Sequence, residues 1–135
     1  TAGKVTIVQV GTSSALTYTP NNINVGVGDM VQFQFLGGNH TVTQSTFDQP
    51  CQPIGLHITG VTGIHSGFMF VAAAGSIPTY TIQINNTTPI WIYCAQAKHC
   101  ESGMAMVINE NTATNATRSL DNYKALAADA TTIIP

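Results

Sequence analysis

The stretch Ile90-Trp91-Ile92-Tyr93-Cys94-Ala95-Gln96-Ala97-Lys98-His99-Cys100-Glu101-Ser102-Gly103-Met104-Ala105-Met106-Val107-Ile108 decides how this chain is read. Its two apolar ends, Ile90 to Tyr93 and Met104 to Ile108, are short and rich in β-branched and aromatic side chains, which predicts two strands joined by a loop. The loop carries a thiolate, an imidazole and a thioether at the spacing C-x4-H-x4-M. Those three donors suit a single copper ion.

A trigonal copper site for electron transfer takes one thiolate, two imidazoles and a weak methionine sulfur on the axis, so a second histidine is required. Only four histidines exist. His40 follows the strand-like Met30-Val31-Gln32-Phe33-Gln34-Phe35 and a Gly37-Gly38 turn, where a strand end can meet the Cys94 loop. It is the expected fourth ligand beside Cys94, His99 and Met104. His57 and His65, eight residues apart in a glycine-rich loop, read as solvated side chains. Each ligand has a plainer reading: Cys94 as a buried apolar cysteine, His99 as a surface histidine, His40 as a strand-end group, Met104 as a core residue like Met106. The combined spacing favours the metal. Structural zinc normally shows paired C-x2-4-C ligands, and that pattern is absent.

With Gly28-Asp29 before a strand, Asn39-His40-Thr41-Val42, Ser66-Gly67-Phe68 and Thr88-Pro89-Ile90-Trp91-Ile92-Tyr93-Cys94, the chain resembles the cupredoxins over roughly Lys4 to Asn109. Within them it is similar to small secreted plastocyanin-like proteins of fungi and to plant phytocyanins. The resemblance implies an all-β fold, a Greek-key β-sandwich of seven to eight strands, with residues 1–110 as the metal domain. It implies Met104 as the axial ligand, the Asn39 carbonyl near the opposite axial position, and Thr41 as the hydrogen-bonding group that ties the two ligand loops together. It also implies a disulfide between Cys51 and Cys100, which gives the odd cysteine, Cys94, its role as a ligand. Plastocyanin has only two residues between cysteine and histidine, so the four found here point toward phytocyanin.

The rest of the chain is consistent with one domain: 135 residues are enough for one sizeable core. Charged residues make up only 7% against 44% hydrophobic, so solubility rests on Thr, Asn, Ser and Gln. A net charge of -2 offers no basic surface for nucleic acid or anionic lipid. No apolar run approaches a membrane span, and Thr1-Ala2-Gly3 lacks the regions of a signal peptide. The disulfide implies an oxidising compartment. Sequons at Asn85, Asn86 and Asn115 are expected glycosylation sites, whereas a glycan on Asn39 would crowd the metal.

Along the chain, Lys4 to Val10 places Val5 and Ile7 on one face and Val8 and Val10 on the other, and Leu16 to Pro20 forms a second strand. Ile23, Val25 and Val27 share a face before the Gly28-Asp29 turn. His40 to Gln44 is extended, and Phe47 to Gly67 is a long loop with at most a helical turn. Phe68 to Val71 and Tyr80 to Ile84 are strands flanking Ala72 to Pro78. Residues 111–135 form a connector and a short C-terminal helix, Ser119 to Ala128. Ser119 is its N-cap, and Leu120, Tyr123 and Leu126-Ala127 form a stripe packed on the same domain.

The expected function is extracellular one-electron transfer by a monomer cycling Cu(II) and Cu(I), serving a weakly charged redox donor and acceptor. The alternative is extracellular copper binding, storage or trafficking; a copper-free wall module is a third reading. No enzyme activity is expected, because oxygen-reducing multicopper sites use H-x-H pairs and copper polysaccharide monooxygenases an N-terminal histidine, where Thr1 stands. A cell-surface anchor would lie in a C-terminal extension not present in this chain.

Overall fold

Alternation of apolar and polar residues along Met30–Phe35 buries Val31, Phe33 and Phe35 completely and turns Gln32 and Gln34 outward. Around that strand a β-sandwich is assembled. The computed structural model describes residues 3–71 and 77–135. Thr1 and most of the Ala72 to Pro78 connection lie outside the described residues.

The described elements are β1 (Val5–Val10), β2 (Tyr18–Thr19), β3 (Asn22–Ile23), β4 (Met30–Phe35), β5 (Gly38–His40), β6 (Thr43–Ser45), β7 (Met69–Val71), β8 (Thr79–Gln83), β9 (Ile90–Tyr93), β10 (Ala105–Ile108) and α1 (Leu120–Ala127), with 3-10 turns at Thr12–Ser14 and, as the helical turn expected in the long loop, at Ile54–Leu56. One sheet has the order β2-β1-β4-β8, the second β3-β10-β9-β6, and β5 pairs with β7 as a two-stranded ribbon. The β1–β4 and β3–β10 pairs are parallel and the others antiparallel. The strands outnumber the seven or eight expected because Tyr18–Thr19 and Asn22–Ile23 form separate two-residue ladders, and because the extended stretch from His40 divides. It leaves the β5–β7 ribbon at His40 and enters the β9 sheet at Thr43, so Thr41 and Val42 lie at the crossing.

The two four-stranded sheets enclose a core of Val8, Val10, Val31, Phe33, Phe35, Ile92, Met106 and Ile108, which continues to Val42, Cys94 and Met104. On β1, Val5 and Ile7 face outward as their alternation dictates. Val27 departs from the face of Ile23 and Val25: it sits at the turn before Asp29 and is exposed.

The second sheet is covered on both faces. Its outer side carries Trp91, Ala105 and Val107, which pack against Phe47, Leu120 and Tyr123. Helix α1 supplies the last two, its start fixed by the Ser119 side chain accepting from the Asn122 N–H at 3.1 Å. Leu126, expected in the apolar stripe, is exposed, and Ala127 takes the inward position. Because both faces are occupied, every residue of β10 is buried, and the loop joining β9 to β10 springs from two well-held strand ends.

Candidate metal centre

Cys94 follows the last residue of β9 and Met104 precedes the first of β10, and both side chains are fully buried in the central core. The loop between them is closed at its base by the Cys94 N–H donating to the Met104 carbonyl at 3.2 Å. It is tightened by the Met104 N–H on the His99 carbonyl at 2.9 Å and the Gly103 N–H on the Cys100 carbonyl at 3.0 Å. These bonds turn His99 back over Cys94, whose Sγ lies 3.5 Å from His99 Nδ1.

His40 arrives from the end of β5. Its Nδ1 is 3.8 Å from Cys94 Sγ and 3.2 Å from His99 Nδ1. The ring is held from behind by glycines: a Cβ on Gly11 would stand 2.7 Å from His40 Nε2 and one on Gly38 2.8 Å from it. Both glycines have positive φ, +72° and +75°, so the ring is seated by backbone that other residues rarely adopt. Nε2 itself is buried with no well-formed hydrogen bond.

Thr41 joins the two ligand segments. Its hydroxyl accepts the Ala95 N–H at 2.9 Å, and its own N–H points at Cys94 Sγ at 3.4 Å. The neighbouring Asn39 Oδ1 is buried without a partner. Cys51 and Cys100 form a disulfide with Cα atoms 5.8 Å apart, which fastens the long loop to the residue after His99.

Electrostatics suit neutral imidazoles. Burial, reinforced by the adjacent His99, lowers the His40 pKa to about 4, with the Gly37 carbonyl opposing the shift. Burial also lowers His99. Burial raises the Cys94 thiol, while N–H groups of Gln96 and Thr41 and the Thr41 side chain pull it back down. The thiol is therefore the group that must lose a proton when a metal enters.

The donor set fits a metal ion. Three inward-facing atoms separated by 3.2, 3.5 and 3.8 Å have an equidistant point about 2 Å from each, close to metal–imidazole lengths of about 2.0 Å and somewhat inside metal–thiolate lengths of about 2.3 Å. Among the described residues one other cluster, Cys51, Cys100 and Glu101, has metal-like proximity, but its sulfurs are already bonded to each other.

His57 is exposed and meets the Gln52 side chain at 2.6 Å. His65 departs from the solvated reading. It is half-buried, its backbone bridges to Thr43, and its Nδ1 lies 2.9 Å from Thr43 Oγ1. Nothing in the sequence between Phe47 and Gly67 signals that contact, which tertiary folding alone creates. Asn85, Asn86 and Asn115 are exposed, and Asn39 is half-buried.

No family model matches the chain. A protein of Arthroderma benhamiae named "Probable GPI-anchored cupredoxin-1" is 34% identical over 129 residues, 96% of this chain and 62% of that protein. An "Extracellular serine-rich protein" of the same fungus is 41% identical over 103 residues, 76% of this chain and 38% of that protein. The chain thus spans less than two thirds of either relative. Among solved structures, a mutant plastocyanin of fern superposes with TM-score 0.54 at 17% identity, covering 76% of this chain and 96% of that one. A purple cupredoxin from Nitrosopumilus maritimus superposes with TM-score 0.52 at 12% identity, covering 76% and 96%. These likenesses concern the fold.

Proposed function

We propose, from the premise that this chain is a cupredoxin by its fold, that it carries single electrons at one copper ion held by His40, Cys94, His99 and Met104. The observation that carries the reading is the convergence of two imidazole Nδ1 atoms on the buried Cys94 sulfur. Copper bound there supplies a Cu(II)/Cu(I) couple. The chain's residues keep the surroundings nearly fixed between the two states: glycines seat His40, Thr41 holds the Ala95 amide, and the disulfide restrains the His99 loop. The Met104 thioether, soft and uncharged, favours the reduced state.

His40, Cys94 and Met104 are buried, whereas His99 is partly exposed. His99 is therefore the route by which an electron enters and leaves. The chain carries few charges, and the two that flank His99, Lys98 and Glu101, are opposite in sign, so transfer rates with a small or weakly charged partner should vary little with ionic strength. A steep salt dependence would overturn that partner assignment.

Residues 1–110 form the copper domain in this reading, with 111–135 packed on it. The chain works outside the cell as a monomer and an electron carrier rather than an enzyme. An oxidising compartment fits the disulfide, and the relatives are named as GPI-anchored and extracellular. Glycans would be carried by Asn85, Asn86 or Asn115.

The test is to add Cu(II) to metal-free protein and record visible absorption and electron spin resonance, with Cys94→Ser as control. An intense thiolate-to-copper band with small hyperfine splitting, absent from the control, supports electron transfer. Copper held without that band, or tightly held Cu(I) that will not cycle, overturns it in favour of storage.

A further inference from the structure

The residues from Ile64 to Ser66 run beside the segment that bears His40. The Gln44 N–H donates to the Ile64 carbonyl at 2.8 Å, the Ser66 N–H to the Val42 carbonyl at 2.9 Å, and the Val42 N–H to the Ser66 hydroxyl at 2.8 Å. This brace places the half-buried His65 ring over Thr43.

From there a continuous line of hydrogen bonds reaches the ligand loop. His65 Nδ1 lies 2.9 Å from Thr43 Oγ1, Thr43 Oγ1 lies 2.8 Å from Thr41 Oγ1, and Thr41 Oγ1 accepts the Ala95 N–H at 2.9 Å. Both threonines are buried, at 0% and 1% exposure, so their hydroxyl protons must be used within the protein.

The Ala95 amide can only donate, so the Thr41 oxygen accepts from it in either sense of the line. In one sense the Thr41 hydroxyl donates to Thr43 and Thr43 to His65 Nδ1; in the other His65 Nδ1–H donates to Thr43, Thr43 to Thr41, and the Thr41 proton turns to the Cys94 sulfur, whose pKa that side chain lowers. In both senses the His65 ring is neutral, and its hydrogen bond at Nδ1 sets which way the two hydroxyl protons point. Burial lowers its pKa, in keeping with that state.

We propose that His65 is a positioning residue for the metal centre: through its hydrogen bond at Nδ1 it orders the Thr43 and Thr41 hydroxyls, and so fixes the Ala95 amide and the Thr41 N–H beside the Cys94 sulfur. The role rests on the electron-transfer reading, but the hydrogen-bonded line belongs to the protein alone and can be examined without metal.

The experiment compares amide hydrogen exchange and amide proton shifts in the 135-residue metal-free chain, wild type against His65→Leu, Thr43→Val, the double variant and the conservative Thr43→Ser. Loss of the terminal imidazole is expected to speed Ala95 exchange about tenfold, the scale of one weakened buried hydrogen bond. The double variant should add little to either single change, because one line is broken once, and Thr43→Ser should restore protection. The copper-loaded variants should also show a shifted thiolate-to-copper band. Unchanged Ala95 exchange and shift in a folded His65→Leu protein, or strictly additive effects, would overturn the relay. Failure to form the coloured copper species at all would instead remove the electron-transfer reading, leaving the Ala95 result to stand or fall by itself. Should His65→Leu fail to fold, Thr43→Val against Thr43→Ser carries the same decision.

Discussion

The Thr41 hydroxyl accepts the Ala95 N–H at 2.9 Å and thereby binds the strand end that carries His40 to the loop that carries Cys94. The two segments are 54 residues apart in sequence, and each alone presents an incomplete donor set.

Replacing Thr41 by Val keeps the shape and removes the acceptor. A buried amide left unpaired costs about 1–3 kcal/mol, so Thr41→Val should lower the unfolding free energy by that amount, read as a lower denaturant midpoint at unchanged slope, and broaden the copper signals. Thr41→Ser should retain most of both. Equal stability for the Val and wild-type proteins would show that the Ala95 amide finds another partner.

Gly11 should tolerate no side chain. A Cβ there would meet the Gly37 carbonyl at 2.3 Å and His40 Nε2 at 2.7 Å, on backbone at φ +72°. Relieving the two contacts requires both the Gly37 backbone and the imidazole to move, which turns Nδ1 away from Cys94. Gly11→Ala is expected to weaken copper binding at least tenfold, the scale seen when groups that orient metal ligands are lost, while Gly28→Ala, where a Cβ meets nothing within 4 Å, serves as a control for the effect of positive φ. Equal copper affinity in the two variants would contradict the seating role.

Much of this was readable in the chain, for physical reasons. Alternation along Met30–Phe35 marks a half-buried strand, and the spacing from Cys94 through His99 to Met104 gathers donors within one loop, so both signals are local. Gly11 and His65 were not readable as parts of the site, because their contacts with His40 and Thr43 exist only after distant segments meet. Leu126 and Val27 mislead for a related reason: each fits an apparent periodicity, but Leu126 turns off the helix face that Leu120, Tyr123 and Ala127 bury, and Val27 lies in a turn.

Acid should weaken the metal-free protein through His40. Its pKa falls from 6.5 to about 4 on folding, so the folded state prefers the neutral ring. Above pH 6.5 the ring is neutral in both states and this preference costs nothing. Between pH 6.5 and about 4 the unfolded chain takes up the proton first and stability declines, by about 3 kcal/mol in all. Urea unfolding across that range should show the slope in metal-free wild type and its reduction in His40→Gln. A flat profile in the wild type would mean that the ring is more solvated than its position suggests.

The disulfide should matter most when copper is absent. Cys51 and Cys100 are separated by 49 positions, and closing a loop of that length stabilises a folded chain by about 4 kcal/mol in the chain-entropy view. Cys51→Ala with Cys100→Ala should lower metal-free stability by roughly that amount, less any structure kept in the unfolded state. Bound copper, which fixes His99 next to Cys100, should recover part of the loss. An equal loss with and without copper would show that bridge and metal act on separate parts of the fold.

The C-terminal helix should govern how firmly the ligand loop is held, through Tyr123. That ring is fully buried, 5.0 Å from Trp91 by ring centroids, with Phe47 4.9 Å from the indole. Its hydroxyl also meets the Ser45 hydroxyl. Trp91 belongs to β9, which leads directly into Cys94. Tyr123→Ala removes a large aromatic group from the outer face of the sheet and is expected to cost about 3–5 kcal/mol. Tyr123→Phe keeps the ring and loses only the hydroxyl contact, for about 1 kcal/mol. Trp91 is the only tryptophan in the chain, so its fluorescence reports the change directly: emission should move to longer wavelength in Tyr123→Ala and hardly at all in Tyr123→Phe. If the helix also steadies the loop, copper should dissociate faster from the Ala variant than from the Phe variant. Equal dissociation rates, with Trp91 emission shifted, would confine the helix to covering the sheet.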